Sequence, residues 1–270
     1  MDLFSLKDKV IVITGSSGLL GQEHSKAVAS SGGIPVLIDI DKNKIKSQEK
    51  YIYDKYKIIT KGYLLDITNE KSVKNTCALI KKKFGKIDGL INNAANNPKI
   101  ENFEGDYSRL EKFSLDSWER DIAVGLTGSF LCSKYFGHEI SRNNNGGSIV
   151  NISSDLGIIA PNQSIYENKN LSDENQAVKP ISYSVTKHGV IGLTKYLSTY
   201  WADKNLRCNA ICPGGVFNNQ SKEFVASLSK LIPMGRMARK EEYQGLIIFL
   251  LSDASSYING SIITADGGRT

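Results

Sequence analysis

The sequence predicts an α/β fold, with a parallel sheet covered by helices on both faces. Two observations predict it. Short apolar runs alternate with helix-length amphipathic runs along the chain. The apolar runs are unbroken rather than alternating, as expected of strands buried on both sides. Composition agrees. Of 270 residues, 40% are hydrophobic and 23% charged, with 24 glycines. That is near the globular average and unlike disordered chains or membrane bundles. No internal repeat or low-complexity linker interrupts the chain.

The elements follow in order. Val10-Ile13 reads as a strand, followed by a glycine turn and a helix to about Ser30. Val36-Ile38 is the next strand, and a third ends near Leu65. Residues 69–84 read as a helix, because Val73, Cys77, Ile80 and Phe84 recur at helical spacing and make one core face. A strand around Leu90-Ile91 precedes a long helix over about 114–142. Strand Ser148-Ile152, a second long helix over about 181–203 and strand Arg207-Ile211 come next. A helix around 240–251 and a strand near Ser261-Thr264 finish the pattern. Two polar stretches, 96–113 and 158–180, break the alternation, and each follows a strand. Loops after the carboxyl ends of such strands border the ligand crevice, so both are expected to wall a substrate pocket.

Several function classes are excluded. The net charge is +6, but basic and acidic residues are interleaved, and Lys81-Lys82-Lys83 reads as a solvated helix face. No basic face with aromatic support points to nucleic acid. No run approaches the ~18 apolar residues of a membrane helix, and the start lacks a leader pattern. Cys77, Cys132, Cys208 and Cys212 are scattered without a CxxC pair, which argues against disulfides and a metal site. A reduced, cytoplasmic protein is expected.

The first strand runs into Thr14-Gly15-Ser16-Ser17-Gly18-Leu19-Leu20-Gly21 and opens a helix. Such a junction offers main-chain N–H groups and a helix N-terminus to a pyrophosphate. Gly15, Ser17, Gly18, Leu20 and Gly21 are the expected contacts. Asp39 follows Gly15 by 24 residues, at the end of the next strand. A carboxylate there accepts both ribose hydroxyls of NAD and repels the 2'-phosphate of NADP. Ile40 follows rather than an arginine, so NAD is preferred.

Further motifs stand in order: Asn92-Asn93-Ala94-Ala95, Ser154, Tyr183-Ser184-Val185-Thr186-Lys187 and Pro213-Gly214. With TGSSGLLG they span nearly the whole chain and resemble the short-chain dehydrogenase/reductase family. The resemblance implies one Rossmann domain over 1–270, a doubly wound seven-stranded parallel sheet, and a homodimer or homotetramer joined through the two long helices. The chemistry of Tyr-x-x-x-Lys is general. Tyr183 and Lys187 share one helix face, and a nearby ammonium lowers a phenol from its ordinary pKa near 10. The resemblance adds that Lys187 holds the nicotinamide ribose. It also makes Ser154, three before Gly157, the hydroxyl that binds the substrate oxygen. It further assigns Asp66 and Ile67 to adenine, Asn92, Asn93 and Ala94 to the adenine ribose and central strand, and Pro213 and Val216 to the nicotinamide side.

Three departures from the family stand out. The glycines follow GxxGxxG, a spacing found in larger nucleotide-sugar epimerases, but no stretch after the last strand provides their extra substrate domain. Gly125-Leu126-Thr127-Gly128 occupies the place of an N-x-x-G pattern whose asparagine serves a proton relay. Ser154 and Tyr183 are 29 residues apart, more than twice the usual separation, and the insert carries Tyr166, Glu167, Lys169 and Lys179. VKPISYSVTKHG, LSTYWADKNLRCNAICPGGV, IPMGRMARKEEY and the DGGRT end resemble the flagellin modification protein A group, which is tied to bacterial surface sugars. That implies an NAD-dependent enzyme acting on a secondary alcohol or ketone of a sugar, such as a sugar phosphate or nucleotide sugar, beside a pathway aminotransferase. Lys99, Arg109, Lys112 and Lys179 are candidate phosphate contacts. The alternatives are an NAD-binding scaffold or regulatory subunit with little catalysis, and a nucleotide-sugar epimerase.

Overall fold

A computed structural model of the chain describes residues 2–96, 108–168 and 170–270. Lys99, Lys169 and most of the 96–113 stretch therefore lie outside the described residues.

The seven apolar runs become strands β1 (Val10–Thr14), β2 (Ile34–Asp39), β3 (Lys61–Leu64), β4 (Gly89–Asn92), β5 (Gly147–Ile152), β6 (Leu206–Pro213) and β7 (Ile262–Ala265). They form one sheet in the order β3-β2-β1-β4-β5-β6-β7. Every pairing is parallel. The strand order reverses between β1 and β4, and that switch point opens the crevice.

The helices are α1 (Leu19–Ser30), α2 (Lys42–Tyr56), α3 (Glu70–Phe84), α4 (Leu115–Ile122), α5 (Gly128–Cys132), α6 (His138–Ile140), α7 (Ile181–Tyr200), α8 (Lys222–Ser229) and α9 (Gln244–Leu251). Strand pleat explains why both faces are covered. In β1, Val10 and Val12 point into one core with Val73, Cys77, Ile80, Phe136 and Leu197. Ile11 and Ile13 point into the other, with Val28, Ile247 and Leu250. All four cysteines are free and buried. No helix among the described residues is long and apolar enough to cross a membrane.

The structure adds detail to several expected elements. The long run at 115–140 is three α pieces joined by π turns at Ala123–Thr127 and Ser133–Gly137. Helix α7 stops at Tyr200, where a 3-10 turn and the left-handed Asn205 hand the chain to β6. The expected 240–251 helix starts as a 3-10 turn over Lys240–Tyr243. Helices α2 and α8 are additions to the sequence reading. Asp41 caps α2 by accepting from Asn43 N and Lys44 N.

Candidate active site

The carboxyl ends of the strands border a single cleft of about 880 Å³ that holds nearly all the expected residues. The glycine turn forms one wall. Gly15 has φ +60°, and a Cβ there would lie 2.8 Å from Ala94 Cα. A Cβ on Gly21 would collide with the Gly15 carbonyl oxygen and stand 2.8 Å from Ser16 Cα. Side chains at these two positions would displace the turn. No side chain caps the N-terminus of α1, and Gly18, Leu19 and Leu20 at that terminus line the cleft. The Ser17 hydroxyl is buried with no hydrogen-bond partner among the described residues. An anionic, hydroxyl-rich dinucleotide fits this wall.

Asp39 stands at the end of β2 as expected. Its Oδ2 accepts from Ser17 N at 2.8 Å, and its Oδ1 from Ile40 N at 2.8 Å and Asp41 N at 3.1 Å. Three main-chain donors aim this carboxylate before any ligand arrives. The neighbouring cation, Lys44, pairs with Asp41 at 3.3 Å. Asp66 and Ile67 line the same end, with Asp66 Oδ1 accepting from Thr68 N and Oγ1. Asn93 donates to the Thr14 and Gly15 carbonyls at 3.0 Å each, tying β4 to the glycine turn, and Ala94 lines the floor. Leu20, Pro213 and Val216 also line the cleft. Asn92 lies beneath it, donating to Asn151 Oδ1 and Ser133 Oγ, so it supports the sheet instead of facing the cleft.

The other end gathers Ser154, Tyr183 and Lys187. Ser153 donates to the Lys187 carbonyl at 2.8 Å and so anchors α7, while the Ser154 hydroxyl donates to Asp155 Oδ1 at 2.8 Å and lines the cleft beside Tyr183. Lys187 Nζ donates to the Ile152 carbonyl at 2.8 Å and lies 5.7 Å from the Tyr183 ring centroid.

The electrostatics correct one expectation. Burial pushes the Tyr183 phenol up to about 12, with Asp155 adding to the rise and the Ser154 hydrogen bond opposing it. Lys187 does not depress it in this state, because burial pushes the Lys187 ammonium itself down to about 8. A second ammonium also reaches the ring. Lys179 Nζ sits 3.8 Å from the Tyr183 centroid and is held down to about 8 by burial, then by Lys187.

Lys179 and Tyr166 bring the 158–180 segment into the cleft wall. Arg109 pairs with Glu111 at 2.5 Å, and neither Arg109 nor Lys112 is among the residues lining the cleft. The departure at Gly125 has a steric counterpart: a Cβ there would collide with the Thr186 methyl. An asparagine does not fit this packing. The pair Asp155–Arg269, absent from the sequence reading as site residues, also borders the cleft.

Residues 16–270 match the family model described as enoyl-(acyl carrier protein) reductase. An NAD-dependent glycerol dehydrogenase of Listeria innocua is 31% identical over 274 residues, covering 99% of this chain and 96% of the relative. The chain belongs to the short-chain dehydrogenase/reductase family. The post-translational flagellin modification protein A of Campylobacter coli is 28% identical over 269 residues, covering 97% of this chain and 98% of its own. A crystal structure of a gluconate 5-dehydrogenase from Burkholderia cenocepacia, in complex with NADP and tartrate, matches with TM-score 0.85 at 25% identity. That match covers 99% of this chain and 97% of the other. As a short-chain dehydrogenase/reductase, the protein is an oxidoreductase with a single Rossmann domain.

Proposed function

We propose that the protein is an NAD-dependent dehydrogenase acting on a secondary alcohol or ketone of a sugar, in bacterial surface-glycan or flagellin-glycan biosynthesis. The observation that carries this reading is one cleft with the Asp39 carboxylate at one end and Ser154, Tyr183 and Lys187 at the other. The glycine wall and Asp39 bind the adenosine half, and Lys187 reaches the nicotinamide ribose. The dinucleotide supplies the hydride acceptor and, when oxidised, a positive ring near the phenol. Ser154 orients the substrate oxygen, and Tyr183 exchanges the proton of the carbinol or carbonyl at its Oη. The glycerol, gluconate and flagellin names of the relatives support a polyhydroxylated substrate. A keto-sugar product would suit a pathway aminotransferase. The four free, buried thiols fit a reducing cytoplasm.

The test is the absorbance band of reduced nicotinamide. NAD or NADP would be supplied with glycerol, xylitol, gluconate, hexose phosphates and nucleotide-linked amino sugars. Signal with NAD is expected. Asp39→Ser should weaken NAD binding about 10- to 100-fold, as loss of hydrogen bonds to a charged group implies. A native enzyme that works better with NADP would overturn the cofactor assignment. The packing at Gly125 favours a second reading, a dinucleotide-binding scaffold, which predicts NADH binding with silence across the panel.

The working unit we propose is a homodimer or homotetramer. Leu115 and Phe130 on α4 and α5, and Val185, Tyr196 and Tyr200 on α7, are exposed apolar side chains. Light scattering at micromolar concentration should give a multiple of the 29.7 kDa chain mass, and a monomer would reject the assignment.

A further inference from the structure

Arg269 and Asp155 form a buried ion pair at the catalytic end of the cleft. Arg269 Nη1 stands 2.6 Å from Asp155 Oδ2, with side-chain exposures of 7% and 4%. The other carboxylate oxygen, Oδ1, accepts from Ser154 Oγ and from Leu156 N, each at 2.8 Å. Leu156 N also reaches Ser154 Oγ at 3.2 Å. The segment carrying Arg269 has its own anchor, because Asp266 accepts from Gly268 N and Thr270 N at 2.9 Å each. A continuous path of hydrogen bonds thus runs from the segment after β7 to the Ser154 hydroxyl.

Burying an ion pair costs desolvation that the mutual attraction barely offsets, so stability alone is a poor reason to keep one. We propose that Arg269 is a positioning residue for the redox reaction: it balances the Asp155 charge, so that Asp155 orients the Ser154 hydroxyl yet releases its proton to the substrate oxygen. This rests on the reading of Ser154 and Tyr183 given above.

The proton count explains the need. A serine hydroxyl has one proton. In the resting site that proton points at Asp155, leaving the Ser154 oxygen to accept from Leu156 N. To stabilise charge on a substrate oxygen, Ser154 must turn that proton away from Asp155. A bare buried carboxylate would hold it tightly and would also favour the neutral phenol next to it. A guanidinium on the far carboxylate oxygen draws off that charge. The directions at neighbouring groups agree: Asp155 raises the Tyr183 and Tyr166 phenols, and Arg269 lowers that of Tyr166.

The charged and titratable groups facing this centre come from every element around it. Lys187 is on α7. Lys179 and Tyr166 come from the 158–180 segment, and Asp121 from α4 acts on Lys179. Cys212 on β6 stands near Lys187 and Asp155. Tyr243, ahead of α9, also feels Asp155. Arg269 is in direct ion-pair contact with Asp155.

The test uses the full chain and the panel substrate with the highest kcat/KM in the oxidative direction. Arg269→Met should lower kcat about 10- to 100-fold and move the acidic limb of the pH profile upward by about one unit. The sign follows because Tyr183 must lose its proton to act as the base, and uncompensated Asp155 opposes that loss. NADH affinity should stay within about twofold, since the cofactor-side contacts are untouched. Arg269→Lys should recover part of the rate. The double variant Asp155→Asn with Arg269→Met should return the limb to its native position, as no unbalanced charge remains. If Arg269→Met fails to fold, the polar neutral variant Arg269→Gln carries the same comparison. A limb that stays fixed in Arg269→Met, or in Arg269→Gln where only that variant folds, would reduce Arg269 to an anchor and overturn the proposal. Turnover surviving in Tyr183→Phe would instead overturn the underlying reading, so the two failures are distinguishable.

Discussion

Tyr183→Phe should lower kcat by at least about 100-fold and up to about 10,000-fold, the range spanned by a positioned acid or base. NADH affinity should stay within about twofold. The substitution removes one atom. The ring remains packed under Lys179 at its present seat, and the glycine wall and Asp39 at the far end are untouched. What disappears is the hydroxyl that exchanges the substrate proton beside Ser154. At neutral pH the phenol is un-ionised in both the folded and the unfolded chain, so its raised pKa adds nothing to stability there, and loss of one hydroxyl should cost no more than about 1 kcal/mol. Steady-state turnover together with NADH fluorescence titration checks both halves. Turnover near the native rate would remove Tyr183 from the chemistry. Native enzyme that binds NADH but turns over nothing would leave the scaffold reading standing.

Much of this was legible because the signals are local. The apolar runs of β1 and β2 and the recurrence of Val73, Cys77 and Ile80 need only neighbours along the chain, and each became the element it suggested. The glycine turn and Asp39 were readable for the same reason, since a strand-turn-helix junction and the next strand end lie within a few dozen residues. Helix α2 escaped because its sequence, KNKIKSQEKYIYDKY, buries only Ile45, Gln48 and Ile52. That stripe is too thin to stand out among so many charges. Helix α8 is short and fully buries Leu228 alone. The Asp155–Arg269 pair escaped for a different reason. Its partners are 114 residues apart, and no spacing rule joins them. The raised phenol of Tyr183 is not legible in sequence, which reveals a lysine one turn away but not the desolvation both groups share.

That shared desolvation leads to the second large effect: Lys187→Met should stabilise the cofactor-free protein at neutral pH while destroying its activity. Burial lowers the Lys187 ammonium from its ordinary 10.5 to about 8. In the unfolded chain the ordinary value returns. A base whose folded pKa is depressed resists protonation in the fold, so below about pH 8 its charge opposes folding. The penalty corresponds to about 3 kcal/mol at pH 7, shrinks as pH rises from 8, and is gone above 10.5. Losing the bond from Nζ to the Ile152 carbonyl returns about 1 kcal/mol of that. The methionine variant should therefore be more stable by about 2 kcal/mol at pH 7, with the difference vanishing or reversing near pH 10. Urea unfolding at the two pH values measures it directly. A variant that is less stable at pH 7, by an amount independent of pH, would mean that Lys187 holds the fold together rather than burdening it. The expected crossover would instead show a buried ammonium kept at a cost to stability, which is the pattern of a group retained for chemistry.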